Sequence, residues 1–355
     1  MINQISKNNK FKLLYFHIPK TAGSSINEFF KANLDSCDFH IEGVKDFDKE
    51  FCNKYDFISG HVSYTRMAEI LNLDEWITFA TFREPLSYTI SHIKWVRKLA
   101  DKGEEKRFQE HPKIFQKIAL KMTEYDFSVP SEITEFIKWL ESINFYYFHN
   151  TQLHYMHPTN NQHKLSDHQV KIALENMKNI NFIGIQENMD EFMETISCEF
   201  GWELDKRPRV NVNENNYGFD INDSKTQEAL LPLYEKDLIL YKEAKKLYNK
   251  QKTLYRNKPT EDIIGYVDSI SKNKIRGWCR SKNSLQKLEL ELRLENQIIA
   301  TTTANKYRLG LKEKGIHFTG RCAFEFDFDL ESSIDTDKLQ VYIANTNISI
   351  DKVYK

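Results

Sequence analysis

A short apolar run, Leu13-Leu14-Tyr15-Phe16, leads directly into the tight stretch His17-Ile18-Pro19-Lys20-Thr21-Ala22-Gly23-Ser24-Ser25. Ile26, Phe29, Phe30 and Leu34 then recur at helical spacing. The order is therefore buried strand, tight loop, helix. Such a junction is suited to holding an anion. The first N–H groups of a helix have no intrahelical acceptor, and the helix dipole is positive there. Lys20, Gly23 and the neighbouring hydroxyls add a cation, backbone freedom and donors.

The same grammar recurs along the chain. Residues 55–64 read as a second strand ending in a loop at Gly60, and residues 76–82 as a third, stopped by Arg83-Glu84-Pro85. Pro85 suits the first turn of the next helix, which carries Leu86, Ile90, Ile93, Val96 and Leu99. Residues 98–113 are charged and read as a solvated excursion. Ser131 is expected to cap a helix, and Ser166 with Gln169 forms a capping box. Residues 181–185 read as a fourth strand, before a helix that stops at Gly201. Strands alternating with helices predict an α/β fold with a mostly parallel sheet. After a polar loop at 207–218, one long helix is expected from about 224 to 255.

Beyond residue 262 the period changes to two. Leu288, Leu290, Leu292 and Leu294 alternate with charges, as do Phe324, Phe326 and Phe328. Further short strands fit 264–270, 275–280, 297–304 and 339–344, with no helix signal between them. Residues 1–256 thus form one expected domain, 257–262 a linker and 263–355 an all-β, sandwich-like accessory domain.

Bulk properties narrow the function classes. Of 355 residues, 50 are Lys or Arg and 51 are Asp or Glu, a net charge of -1. That balance argues against a dedicated nucleic-acid binder, though a local basic pocket remains compatible with it. The five cysteines are scattered and form no C-x-x-C pair, which predicts reduced thiols in a cytoplasmic protein. No signal peptide or membrane-spanning run is expected. Richness in Lys, Asn and Ile fits an AT-rich bacterial genome.

The loop does not fit G-x-x-x-x-G-K-[ST], because Lys20 precedes Gly23. Pro19-Lys20-Thr21-Ala22-Gly23-Ser24-Ser25 instead resembles the 5′-phosphosulfate loop of carbohydrate sulfotransferases that use 3′-phosphoadenosine 5′-phosphosulfate (PAPS). Arg83-Glu84-Pro85, with Ser91 eight positions after Arg83, resembles the strand end and helical serine that bind the donor's 3′-phosphate in that family. Gly60-His61-Val62-Ser63-Tyr64 is similar to the segment that carries the general base in heparan sulfate and uronyl 2-O-sulfotransferases. The resemblance covers residues 12–248. It implies a P-loop-like three-layer sandwich. Lys20, Thr21, Ala22, Gly23, Ser24 and Ser25 would hold the phosphosulfate, Arg83 and Ser91 the 3′-phosphate, and His61 would be the base. Arg207 and Arg209 fall in the loop that covers the adenine and 3′-phosphate in such enzymes. No metal is implied. The acceptor would be a polysaccharide or glycolipid, with peripheral association to glycan-assembly enzymes. Three departures stand out: Glu84 in place of aspartate, Tyr88 in place of a second arginine, and Ala22 with Ser24-Ser25 in place of the commoner loop wording.

His149, His154, His157, His163 and His168 match no zinc spacing and are expected on a polar, substrate-facing or surface segment. Trp278 is read as a core residue, with a sugar platform as the alternative, and Tyr307-Arg308 is a second soft candidate for sugar contact. Two competing functions are a nucleotide-dependent phosphotransferase and a catalytically silent glycan-binding protein.

Overall fold

A computed structural model describes residues 12–34, 48–159, 164–202, 204, 215–260, 262–271, 273–295, 297–328 and 338–352. β1 (Lys12–Phe16) is followed by α1 (Gly23–Asn33), α2 (Lys49–Asn53), β2 (Phe57–Gly60), α3 (Tyr64–Ile70), β3 (Trp76–Phe82) and α4 (Pro85–Lys98). Helices α5 (Glu105–Glu110), α6 (Lys113–Met122), α7 (Pro130–Ser142), α8 (Thr151–Met156) and α9 (Asp167–Lys178) precede β4 (Phe182–Ile185). Then come α10 (Met189–Phe200), α11 (Ser224–Leu230) and α12 (Glu235–Arg256).

The four strands form a parallel sheet in the order β2-β1-β3-β4. Every residue of β2, β3 and β4 is buried, as expected for a parallel sheet covered on both faces. Phe16 lies beside Gly60, and Phe82 beside Ile185. The carboxyl ends of all four strands therefore share one edge. The chain passes from β1 to β2 on one side and then to β3 on the other. That reversal opens a crevice at the carboxyl edge, where ligands of open α/β sheets bind.

Local chemistry accounts for the element ends. Glu84 accepts from the N–H groups of Leu86 (3.1 Å) and Ser87 (2.7 Å), so α4 starts on a carboxylate cap with Pro85 in its first turn. The Ser166–Gln169 capping box forms as expected, and Gly201 ends α10 in the left-handed conformation. Ser131, however, lies inside α7. That helix starts at Pro130, whose fixed φ and missing N–H suit the first position. The charged excursion contains α5, and α6 and α8 had no counterpart among the expected elements. The expected 224–255 helix is broken. Pro232 lies in a 3-10 turn, Leu231–Leu233, between α11 and α12, because proline cannot donate within a helix.

The C-terminal part contains β5 (Ile263–Ser271), β6 (Lys274–Ser281), β7 (Glu289–Leu294), β8 (Gln297–Thr303), α13 (Leu309–Glu313), β9 (Ala323–Asp327), β10 (Leu339–Ile343) and β11 (Ser349–Ile350). Two antiparallel sheets result, β11-β10-β7-β8 and β5-β6-β9. Val267, Ile275, Phe324 and Phe326 of one sheet share a buried cluster with Leu290, Leu292, Leu339 and Val341 of the other. The period-two pattern thus marks the buried face of each sheet. α13 corrects the expectation of a helix-free stretch. Trp278 is half-buried at the edge of a small cluster with Leu311, Cys322 and Ala323, and its ring meets that of exposed Tyr266 at 5.8 Å, so it is not a fully buried core residue.

Candidate anion site at the sheet edge

The loop after β1 bends back through two left-handed residues, Lys20 (φ 65°) and Ala22 (φ 64°). Neither is glycine, so each carries backbone strain of the kind found at binding sites. Thr21 between them is fully buried. Its hydroxyl donates to the Ile18 carbonyl (2.8 Å) and lies 2.8 Å from the Thr81 hydroxyl. The Thr21 side chain thus anchors the loop to β3 from inside, and Thr81 in turn donates to the Thr21 carbonyl (3.1 Å). Ala22, Ser24 and Ser25 are half-buried at the start of α1. No side chain caps that helix, and its first turn holds no acid. Among the described residues, nothing acidic in the first turn offsets its positive end.

Gly23 is required by space. A Cβ there would stand 1.9 Å from Cδ2 and Nε2 of His17. His17 stacks on Tyr15 (5.6 Å between centroids) and faces His61 at 4.3 Å. His61 follows the last residue of β2. Its Nδ1 lies 2.6 Å from the His17 carbonyl oxygen. A carbonyl only accepts, so Nδ1 carries the hydrogen and Nε2 is the basic nitrogen of the neutral ring.

Arg83 follows the last residue of β3. Its guanidinium donates to the Lys20 carbonyl (3.2 Å), which joins the loop to the third strand. Its Nε–H is buried with no hydrogen-bond partner among the described residues. Burial holds the Arg83 pKa below its ordinary value, while Glu187, Glu84 and Tyr88 act the other way. Lys20 is depressed to about 8, first by burial and then by Arg83, Arg107 and Lys98. Lys94 is also lowered, by burial and then by Arg83. The edge therefore concentrates positive charge that repels itself, which a bound anion would relieve.

The structure thus brings Lys20, Thr21, Ala22, Gly23, Ser24, Ser25, His61 and Arg83 to one edge. Ser91 sits half-buried roughly two turns into α4. Arg207 and Arg209 lie outside the described residues. The histidine segment differs from its expectation. His149 and His154 are buried, His149 against Tyr146 and His154 accepting from the Thr159 N–H (3.2 Å). His154 lies in α8, where Thr151, Gln152, Leu153 and Met156 are buried with it. His168 is exposed, and His163 lies outside the described residues.

Sequence reasoning missed His17, Lys94 and Gln152. His17 had a signal in its place between strand and loop. Gln152 had none, because only the fold carries it to Arg83. The chain matches no protein-family model and no curated protein.

Proposed function

We propose that the protein is a carbohydrate sulfotransferase that moves a sulfuryl group from PAPS to a sugar hydroxyl of a polysaccharide or glycolipid. One observation carries this: a strained loop–helix junction with no acid in its first turn, the Nε–H of Arg83, which has no hydrogen-bond partner among the described residues, and the oriented His61 share the carboxyl edge of a parallel sheet. In this reading the sheet is that of a P-loop-like three-layer sandwich, residues 263–355 are an accessory sandwich-like domain, and the enzyme works in the cytoplasm. Lys20, Ser24, Ser25 and the backbone of 21–25 would hold the 5′-phosphosulfate. The Thr21 hydroxyl serves the scaffold instead. Arg83 and Ser91 would fix the 3′-phosphate through charge-assisted bonds.

The donor supplies the activated sulfuryl group. Its transfer, like phosphoryl transfer, moves a charged group between two oxygens, so positioning and charge stabilisation dominate. His61 Nε2 would take the proton of the acceptor hydroxyl, and Lys20 would stabilise charge on the leaving oxygen. Calorimetry with 3′-phosphoadenosine 5′-phosphate is the first test. Binding that weakens greatly on removal of the 3′-phosphate supports the proposal, and no binding overturns it. Labelled PAPS with a panel of polysaccharides then identifies the acceptor. His61→Ala is expected to lose turnover by ~10²–10⁴-fold while keeping nucleotide affinity. Near-normal transfer by that variant would remove His61 as the base.

A further inference from the structure

At Arg83 the third strand has run out of ladder. Phe82 pairs with Ile185, and the next backbone groups have no strand partner. Buried backbone donors and acceptors still need partners. Gln152 of α8 supplies them: its Oε1 accepts from the Arg83 N–H at 2.9 Å, and its Nε2 donates to the Arg83 carbonyl at 2.9 Å. The amide thus extends the strand by one side chain. Gln152 is itself buried and held at its own backbone. Asp237 of α12 accepts from the N–H groups of Gln152 (3.2 Å) and Leu153 (2.8 Å). Asn150 returns the favour, accepting from Lys236 (2.9 Å) and Asp237 (3.3 Å) at the start of α12. A continuous tether runs from α12 through α8 and Gln152 to Arg83, and from Arg83 to the Lys20 carbonyl.

We propose that Gln152 is a positioning residue for the anion site: its paired hydrogen bonds to the Arg83 backbone set where the guanidinium points. The inference rests on the assignment of Arg83 to the 3′-phosphate made above. A general packing role would weaken every ligand alike. A positioning role acts only on ligands that Arg83 reaches.

Gln152→Met keeps the bulk and removes both bonds, and Gln152→Glu keeps an acceptor for the Arg83 N–H. Calorimetry on the full chain would compare 3′-phosphoadenosine 5′-phosphate with adenosine 5′-phosphate. Gln152→Met is expected to weaken the first at least tenfold and the second less than twofold, with Gln152→Glu between. In an Arg83→Ala background the Gln152→Met change should add nothing, because the two residues act as one unit. Equal weakening of both nucleotides, or a full additive loss beside Arg83→Ala, would overturn the proposal. The Arg83 Nε–H resonance, assigned with Arg83→Lys, reads the same geometry without any nucleotide. It should move in Gln152→Met, and an unmoved resonance also counts against the tether. If the wild type binds neither nucleotide, the sulfotransferase reading fails, and this resonance still decides the role of Gln152. Should Gln152→Met not fold, Gln152→Glu carries the same comparisons.

Discussion

Lys20 gains a double pH signature from its surroundings. Its folded pKa of about 8 lies below the ordinary 10.5 because burial and the cations Arg83, Arg107 and Lys98 disfavour the charged form. Between those values the unfolded chain binds more protons, so the ligand-free protein gains stability from this group as pH rises from about 8 to 10.5. Anion affinity does the opposite, because the loop loses its ammonium above about 8. Calorimetric titration from pH 6.5 to 9.5 should show affinity falling through that value, and Lys20→Met should abolish the fall. A wild-type affinity that is flat across the range would contradict the assignment of Lys20 as a ligand. At the neighbouring Gly23 the constraint is steric. A methyl group would occupy the place of the His17 ring, which faces His61 at 4.3 Å. Gly23→Ala should therefore cost about 1–3 kcal/mol of stability and also lower turnover. Urea unfolding and initial rates measured together check both halves.

Elements differ in how far they could be read from the chain alone. β3 matches its expected bounds because Trp76 to Phe82 is a run of aromatic, β-branched and small residues without a charge, and the only polar side chains it buries, Thr78 and Thr81, are hydrogen-bonded. The α4 start was legible in Glu84-Pro85. The break at Pro232 was equally visible and should have divided the long helix. α8 was not legible. Its six residues, Thr151–Met156, mix polar and aromatic types, and its stability comes from Asp237 and Asn150 across a long sequence separation. The reciprocal caps leave Asp237 fully buried. Burial pushes its carboxyl up to about 7, against the two backbone N–H bonds that favour the anion. The native state then holds this proton more tightly than the unfolded chain. Its contribution is fully present below the ordinary 3.8 and is lost as pH rises through about 7. Asp237→Asn should remove that slope, which is worth on the order of 4 kcal/mol over the window. The measurement is the wild-type minus variant difference in urea unfolding at pH 4.5, 6 and 7.5. A constant difference would show that Asp237 stays ionised throughout.

Across the whole molecule, α13 and the segment after it meet the α/β part away from the anion site. Lys312 donates to the carbonyls of Leu73 (3.2 Å), Asp74 (3.0 Å) and Trp76, at the start of β3. Asn181, just before β4, donates to the Phe318 carbonyl (2.6 Å). These contacts lie at the amino ends of the strands, opposite Lys20, His61 and Arg83. Between them sits a buried ionic cluster. Glu199 of α10 pairs with Lys287 (2.6 Å), lies 3.8 Å from Arg321, and accepts from Tyr255 (3.1 Å) and Thr319. Burial raises the Glu199 pKa, but Lys287, His317 and Arg321 outweigh it and hold the carboxyl at about 2. This contribution is present above the ordinary 4.5 and is lost as pH falls through about 2. Removing the charge takes from Lys287 its buried carboxylate partner, and breaking a buried pair typically costs about 3–5 kcal/mol. Glu199→Gln should lose that much at pH 7, and the gap to wild type should narrow as pH falls from 4.5 towards 2. The wild type should unfold in one transition, because the cluster ties the two parts together. A two-step wild-type transition, or a gap unchanged at pH 3, would mean that Glu199 does not carry the coupling.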